Sequence, residues 1–370
     1  MHKKHFGRVD CSGRTPETLI PFYANEVRDM TAKKRLMQKR FAPESFTSGQ
    51  ICFGLFALFC LLLILRNTAI AIEYMSRGLS LCAKTVIPSL FPFMVISELI
   101  VSGNVAARLF NKPSIPLQKL LHLSSDGACA FLLGILCGFP IGARCAVQSY
   151  RLGRISREEC ERILCFSSTP SSAFLITAVG ESLWGNRKFG IALYLASILS
   201  SLVIGMFIAR FPKKAPQEKP IFHGEPLTSP RISSSKLFCD AILSATKSIL
   251  LVCAYVLFFS ALVGTFHFMP GVQKLPTAAK AFLFCLFELS SGVGAATALP
   301  TPLQAALLCA FAVGWSGISV HCQLLSICES ERLSLKPYVI AKLCQSMILP
   351  LILAAILFLF PNLLIPAIGI

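Results

Sequence analysis

Long apolar segments recur along most of the chain, and most are close to the length of about 20 residues that a membrane-spanning helix needs. They lie near 51–72, 79–101, 128–148, 163–180, 188–210, 238–264, 278–299, 303–325 and 337–360. Only 14% of the residues are charged, whereas soluble domains carry about 25%. The sequence therefore predicts an all-α integral membrane protein.

Positive charge lies mainly outside these segments. The chain carries 35 Lys and Arg against 18 Asp and Glu, and many of the basic residues fall in two polar stretches, 1–48 and 211–237. Because cytoplasmic loops are enriched in Lys and Arg, both stretches are expected in the cytoplasm. We predict a basic arm at 1–48, a membrane half at 49–210, a linker at 211–237 and a second half at 238–370. This distribution favours the lipid bilayer of the cell membrane as a partner over nucleic acid.

The same placement of charge restricts the path of the first half. Five apolar segments separate the arm from the linker, and an odd number of crossings cannot return to the same side. One segment is therefore predicted to be re-entrant, and 79–101 is favoured because Pro88 and Pro92 interrupt helical hydrogen bonding. The alternative is 163–180. The resulting expectation is about eight spanning helices plus a re-entrant segment, in two inverted-repeat halves.

A weak internal repeat joins acidic and small residues within the apolar sequence. The candidate pathway residues are Glu98, Gly138, Pro140, Gly142 and Gln148 in the first copy, and Glu288, Gly314, Gly317, His321 and Gln323 in the second. Six positions separate the last glycine of each copy from its glutamine. A carboxylate inside a bilayer is costly and commonly marks a transport pathway. We therefore expect Glu98 and Glu288 to share a site near the bilayer midplane.

Each candidate also has a structural interpretation. A glutamate can bind a cation or a proton, or it can neutralise a buried basic residue. Glycines allow helices to pack closely, and they also allow a helix to break. The glutamines offer amide groups to a polar ligand or to a neighbouring helix, and His321 is either a proton shuttle or a structural residue. The run from Ser167 to Ser172 either lines a polar path or satisfies backbone groups beside Pro170.

No motif supports catalysis or cofactor binding. The 16 cysteines include no Cys-x-x-Cys pair, and most lie in apolar segments, where a thiol behaves as a small apolar group. Nucleophile elbows, phosphate-binding loops and zinc-protease signatures are not found in the sequence. We expect no catalytic residues, no metal and no cofactor, and a protein that is not an enzyme.

Several short motifs stand out along the apolar part of the chain: Phe91-Pro92-Phe93, Ser97-Glu98-Leu99, Gly138-Phe139-Pro140-Ile141-Gly142, Phe287-Glu288-Leu289-Ser290-Ser291-Gly292, Gly317-Ile318-Ser319-Val320-His321-Cys322-Gln323 and Lys336-Pro337-Tyr338. Together they resemble the YlbJ-like sporulation integral membrane proteins of endospore-forming bacteria. The resemblance covers about residues 70–360. It implies a Gate, or nucleoside-recognition, domain and a role in spore cortex formation or spore maturation.

The function predicted from these observations is transport. We expect the protein to move a small polar solute or ion by alternating access around Glu98 and Glu288. The alternative is a non-transporting membrane scaffold for spore-envelope assembly, whose working surface would be the basic arm. The identity of the solute, the direction of movement and the oligomeric state stay open at this stage.

Overall fold

A computed structural model describes residues 48–103, 115–210 and 234–364. The predicted basic arm, apart from Ser48, and residues 211–233 of the predicted linker lie outside the described residues. Helix begins again at Ser234, so the last four residues assigned to the linker belong to the second half. The chain divides into two units at Leu61. The first unit is described only over 48–61, which is helical.

The described residues are almost entirely helical. In the first half the α-helices are α1 Ser48–Arg66, α2 Thr68–Leu81, α3 Ile87–Ser102, α4 Ile115–Leu121, α5 Ser125–Cys137, α6 Ile141–Arg151, α7 Arg157–Ser167 and α8 Arg187–Ala209. In the second half they are α9 Ser234–His267, α10 Pro270–Gln273, α11 Thr277–Phe287, α12 Leu289–Thr297, α13 Pro302–Trp315, α14 Gly317–Cys328 and α15 Lys336–Leu359. Wider π-helical turns form Cys82–Val86 and Ala173–Leu183, and short 3₁₀ turns form Glu329–Glu331 and Pro361–Leu364.

Length and composition identify six helical stretches of the described residues that can cross a membrane. They are Ser48–Arg66, Thr68–Ser102, Arg187–Ala209, Ser235–His267, Pro302–Glu331 and Lys336–Leu359. A seventh results if α4 and α5, which meet at 102°, count as one bent span. The all-α membrane fold is therefore confirmed, whereas the count of eight is not. The remaining predicted segments are divided by breaks into helices too short to cross alone.

The prediction that 79–101 is the interrupted segment is wrong. Thr68–Ser102 is one continuous helical stretch of 35 residues. Pro88 and Pro92 both lie inside this stretch, and the helix continues past each of them. The Ser89 hydroxyl donates to the Thr85 carbonyl at 2.6 Å, and such a bond is one way in which membrane helices tolerate proline. The alternative segment, 163–180, is broken between α7 and the π-helical turns.

Close backbone contacts hold the broken helices together. A Cβ on Gly142 of α6 would lie 2.7 Å from the Cα of Gly134 on α5. In the second half, a Cβ on Gly292 of α12 would lie 2.5 Å from the Cα of Cys285 on α11. Each glycine stands four positions after the residue at the break, Gly138 or Glu288. The two helical hairpins therefore pack by the same small-residue contact.

Replacing Gly292 with alanine tests this packing, and Gly294 on the same helix provides the control. Gly292→Ala is expected to lower the free energy of unfolding by roughly 2 kcal/mol, because the new methyl group meets backbone that cannot easily move. A Cβ on Gly294 would meet nothing within 4 Å. Gly294→Ala is therefore expected to raise the free energy of unfolding by about 0.5–1 kcal/mol, because alanine has the higher helix propensity. Thermal unfolding in one lipid nanodisc preparation measures both. Equal effects of the two substitutions would contradict the tight hairpin.

Candidate functional site

The first half contains two helix breaks that are hydrogen-bonded to each other. Between α5 and α6 the chain passes through Gly138, with φ +81°, and a cis Phe139–Pro140 bond. Between α7 and the π-helical turns it passes through 168–171. The Phe139 N–H donates to the Thr169 carbonyl at 2.6 Å. Two separate interruptions of the helical backbone therefore lie side by side.

The second half repeats this arrangement with different residues. Glu288, in an extended conformation, separates α11 from α12. Ser316 and Gly317, with φ of 72° and 81°, separate α13 from α14. A Cβ on Gly317 would lie 3.1 Å from the Cα of Glu288, so these two breaks also touch. Glu288 follows α11 as Gly138 follows α5, whereas the sequence pattern had paired Gly138 with the region of Gly314.

All four breaks border one cavity of about 90 Å³. Its lining comes from the breaks themselves, from the turns around Thr85 and Ser89, and from α9 and α14. The polar side chains that line it are Thr85, Ser89, Ser171, Glu288, Ser290, Ser316, Ser319 and Gln323. Apolar walls complete it. One water molecule needs about 10–15 Å³ on such a measure, so the space has room for several waters or a small ion.

Among the residues that the structure describes, Glu288 is the one carboxylate in the cavity lining. Its side chain caps α12, because Oε1 accepts the Ser290 N–H at 2.9 Å and Oε2 accepts the Ser291 N–H at 2.6 Å. These bonds and the positive end of the helix dipole stabilise the negative charge. The residue is only 3% exposed. Since a carboxylate oxygen can accept more than one hydrogen bond, both oxygens retain capacity for a ligand in the cavity.

Gln323 faces the same space from α14, one turn after Ser319. Its amide donates to the Ser319 hydroxyl at 3.4 Å, a long hydrogen bond, and both residues are buried. The breaks expose polar backbone next to these groups, which is tolerated at membrane depth where it lines a cavity. The site therefore offers a carboxylate, an amide and several hydroxyls in otherwise apolar surroundings.

Glu98 lies elsewhere and already has a partner. On the unbroken helix α3, its Oε2 accepts from Arg144 Nη2 at 3.0 Å and its Oε1 accepts from the Ser102 hydroxyl at 2.9 Å. Arg144 also donates to the Ser244 hydroxyl at 2.8 Å. Glu98 is not part of the cavity lining. The structure thus does not bring Glu98 and Glu288 together in a shared site. Glu98 instead neutralises a basic residue, which was the structural alternative.

The other predicted residues divide between the breaks and helix contacts. Gly138, Pro140 and Gly317 form breaks, and Gly142 packs on Gly134 and Ser167. A Cβ on Gly314 would lie 2.7 Å from the Gln345 carbonyl oxygen, which places α13 directly on α15. Gln148 is half-buried on α6, outside the cavity lining.

His321 points away from the cavity lining toward the last helix. Its Nδ1 lies 2.8 Å from the Tyr338 hydroxyl, and its ring meets Trp315 edge to face at 4.4 Å. Its Nε2 is buried and has no hydrogen-bond partner among the described residues. His321 therefore joins α14 to α15.

Several cavity residues were not singled out from the sequence. Ser171 belongs to the hydroxyl-rich run that was read as either a polar path or a backbone support, and it lines the cavity. Ser290, Ser316 and Ser319 gave no separate signal, because serine is common in membrane helices. The sequence signal that could have identified them is their position within a few residues of the candidates Glu288, Gly317 and Gln323.

A known membrane protein matches most of this chain. The sporulation integral membrane protein YlbJ of Bacillus subtilis (strain 168) is 24% identical over 325 residues, a match covering 78% of each protein. This confirms the resemblance that the sequence motifs predicted. The chain therefore resembles YlbJ over most of its length, and it is an integral membrane protein. The match gives no information on a transported solute.

Two other comparisons found nothing. No protein-family profile matches the chain, and no solved structure matches it. The Gate domain therefore stays a prediction from the motifs.

Proposed function

We propose that this YlbJ-like protein acts in spore cortex formation or maturation, and that it moves a small polar solute or ion across the cell membrane. It does so without catalysis, with its amino terminus in the cytoplasm. The observation that carries the transport proposal is the cavity bordered by all four helix breaks. Transporters commonly bind their substrates between discontinuous helices of two related halves.

The contents of the cavity narrow the chemistry. Glu288 supplies a negative charge held by backbone N–H groups, and the serine hydroxyls and the Gln323 amide supply neutral oxygens. Oxygen donors of this kind suit a hard cation or a hydroxylated solute. A volume of about 90 Å³ favours an ion or a very small solute in this conformation, and a larger solute requires the breaks to move apart.

The breaks also supply the means of movement. Gly138 and Gly317 hold left-handed backbone angles in the short segments where the helices turn. Hinge motions in transporters concentrate at such segments. Rocking of α5 and α6 about Gly138, and of α13 and α14 about Gly317, opens the cavity alternately to each side.

Uptake into proteoliposomes tests the role of Glu288. Tritiated uridine, labelled glucose and rubidium ions serve as probes for a nucleoside, a sugar and a cation. Glu288→Gln is expected to reduce uptake of the accepted probe by about tenfold or more, as when an interaction worth roughly 1.4 kcal/mol in the rate-limiting step is lost. Glu73→Gln, at an exposed glutamate paired with Arg77, is the matched control and is expected to leave uptake unchanged.

The other predicted glutamate gives a different expectation. Glu98→Gln, measured at equal amounts of folded protein, is expected to retain uptake because Glu98 is outside the cavity lining. Unchanged uptake in Glu288→Gln would remove Glu288 from the pathway.

The sporulation role is tested separately in the native host. Deletion of the gene is expected to leave vegetative growth intact and to lower the yield of heat-resistant spores. Restoration by the wild-type gene, but not by the Glu288→Gln variant, links the cavity to that role. Normal spores in the deletion strain would show that the protein acts elsewhere.

A further inference from the structure

A lysine lies fully buried in the last spanning helix. Lys342 of α15 has no exposed surface, and its ammonium group donates to the Ser168 carbonyl at 2.7 Å and to Gln345 Oε1 at 2.9 Å. The Gln345 amide in turn donates to the hydroxyls of Ser200 and Ser201, at 3.1 and 2.9 Å. The cation is thus held by a backbone carbonyl and an amide oxygen, both neutral, and the two hydroxyls hold the amide in place.

No described carboxylate lies within ion-pair distance of Lys342. Helix α15 packs against α7, α8 and α13 and contacts α14 through His321. The titratable groups on the buried faces of these helices are Cys160 and Cys165 on α7, Cys309 on α13, and His321 and Cys328 on α14, with Tyr338 one turn earlier on α15 itself. Helix α8 contributes only the hydroxyls of Ser200 and Ser201. None of these groups supplies a negative charge near neutral pH.

The carbonyl that Lys342 holds belongs to a helix break. Ser168 starts the interruption after α7, and the next residue, Thr169, accepts the Phe139 N–H from the neighbouring break. Pro170 and Ser171, further along the same segment, line the cavity. The hydroxyls of Ser167 and Thr169 are buried and have no hydrogen-bond partner among the described residues. The ammonium is therefore the main polar contact that fixes this break from the side of α15.

We propose that Lys342 is a proton-binding site that controls the break at Ser168 and, through it, the cavity. With its proton bound, the ammonium clamps the Ser168 carbonyl by a charge-assisted hydrogen bond, which is stronger than a neutral one. When the N–H bond breaks, the proton passes to a water molecule, giving a hydronium ion and a neutral amine. The weaker bond that remains releases the segment that carries Pro170 and Ser171.

Lysine suits this role because it can lose its proton in a buried site, whereas arginine keeps its charge. Coupling of proton release to solute movement rests on the transport function proposed above. The clamp itself does not, since it concerns only Lys342 and the break. The clamp is therefore tested without measuring uptake. A negative result for the clamp would not contradict transport, and a negative result for transport would not contradict the clamp.

Hydrogen–deuterium exchange of the peptide covering 168–175 measures the clamp. Samples of the full chain in nanodiscs are compared from about pH 5 to pH 10, with labelling times scaled for the intrinsic pH dependence of amide exchange. Wild type is expected to lose protection in this peptide by about tenfold as the pH rises. Lys342→Arg is expected to stay protected throughout, and Lys342→Met to exchange rapidly throughout.

Lys336→Arg is the matched control, since Lys336 is an exposed lysine at the start of the same helix. It is expected to follow wild type. Scaled exchange that stays flat with pH in wild type, or a Lys342→Arg profile that matches wild type, would overturn the proposal. The wild-type profile decides the question even if a Lys342 variant does not fold.

Discussion

Gly138→Ala is expected to lower the free energy of unfolding by roughly 3 kcal/mol. Two costs add. Gly138 has φ +81° and ψ −174°, a region that is essentially restricted to glycine. In addition, a Cβ there would overlap the backbone nitrogen and Cα of Ser171. Because the overlap is with backbone, it is relieved only by separating the two breaks of the first half.

The measurement is thermal or denaturant unfolding of the variant in nanodiscs, with Gly271→Ala as the control. Gly271 lies in the short helix α10, and a Cβ there meets nothing within 4 Å. We also expect Gly138→Ala to reduce protection of the 168–175 peptide from hydrogen exchange, since the Phe139–Thr169 hydrogen bond is displaced. Stability and protection equal to those of wild type would contradict the contact between these breaks.

Arg144→Met is expected to cost about 3 kcal/mol, because it leaves Glu98 without its positive partner in a largely buried position. The two side chains of this pair are 15% and 16% exposed. The Ser102 hydroxyl still donates to Glu98, but a neutral donor does not replace a charge. The expected result is a lowered unfolding midpoint together with reduced expression of folded protein.

Removing both charges distinguishes this explanation from a simple loss of packing. The double variant Glu98→Gln/Arg144→Met is expected to recover most of the lost stability, since neither charge is then buried alone. Arg77→Met, which breaks the exposed pair with Glu73, is expected to have little effect. A double variant as unstable as Arg144→Met would show that the ion pair is not the cause.

The sequence was sufficient to predict the membrane fold and to single out Glu288, which lies in the cavity lining. Long apolar segments with few charges predict spanning helices whatever the tertiary arrangement, and a carboxylate within such a segment is unusual enough to identify alone. The number of crossings was not predictable. Proline proved misleading at Pro88 and Pro92, where the helix continues, whereas the breaks at Glu288 and Ser316 contain no proline.

The sequence does not predict those parts of the site that depend on contacts between residues far apart in the chain. Glu98 and Glu288 have similar sequence surroundings. Only the packing of α3 against α6 shows that Arg144 neutralises Glu98. Lys342 was overlooked because it lies near the start of α15, where a lysine normally extends its side chain to the membrane surface. Its burial is imposed by the contacts of α15 with α7 and α8.

The proposed transport function requires the cavity beside Glu288 to open to both faces of the membrane. Ser319→Cys places a thiol in its lining, and a membrane-impermeant methanethiosulfonate reagent reacts with thiols that reach water as thiolates. Wild type corrects for native cysteines, and Ser346→Cys, at a residue buried between α13 and α15, is the unreactive control. Labelling of Ser319→Cys from outside in intact cells and from the cytoplasmic face in inverted vesicles is the predicted result. Labelling from one face alone, or from neither, would contradict a transport cavity.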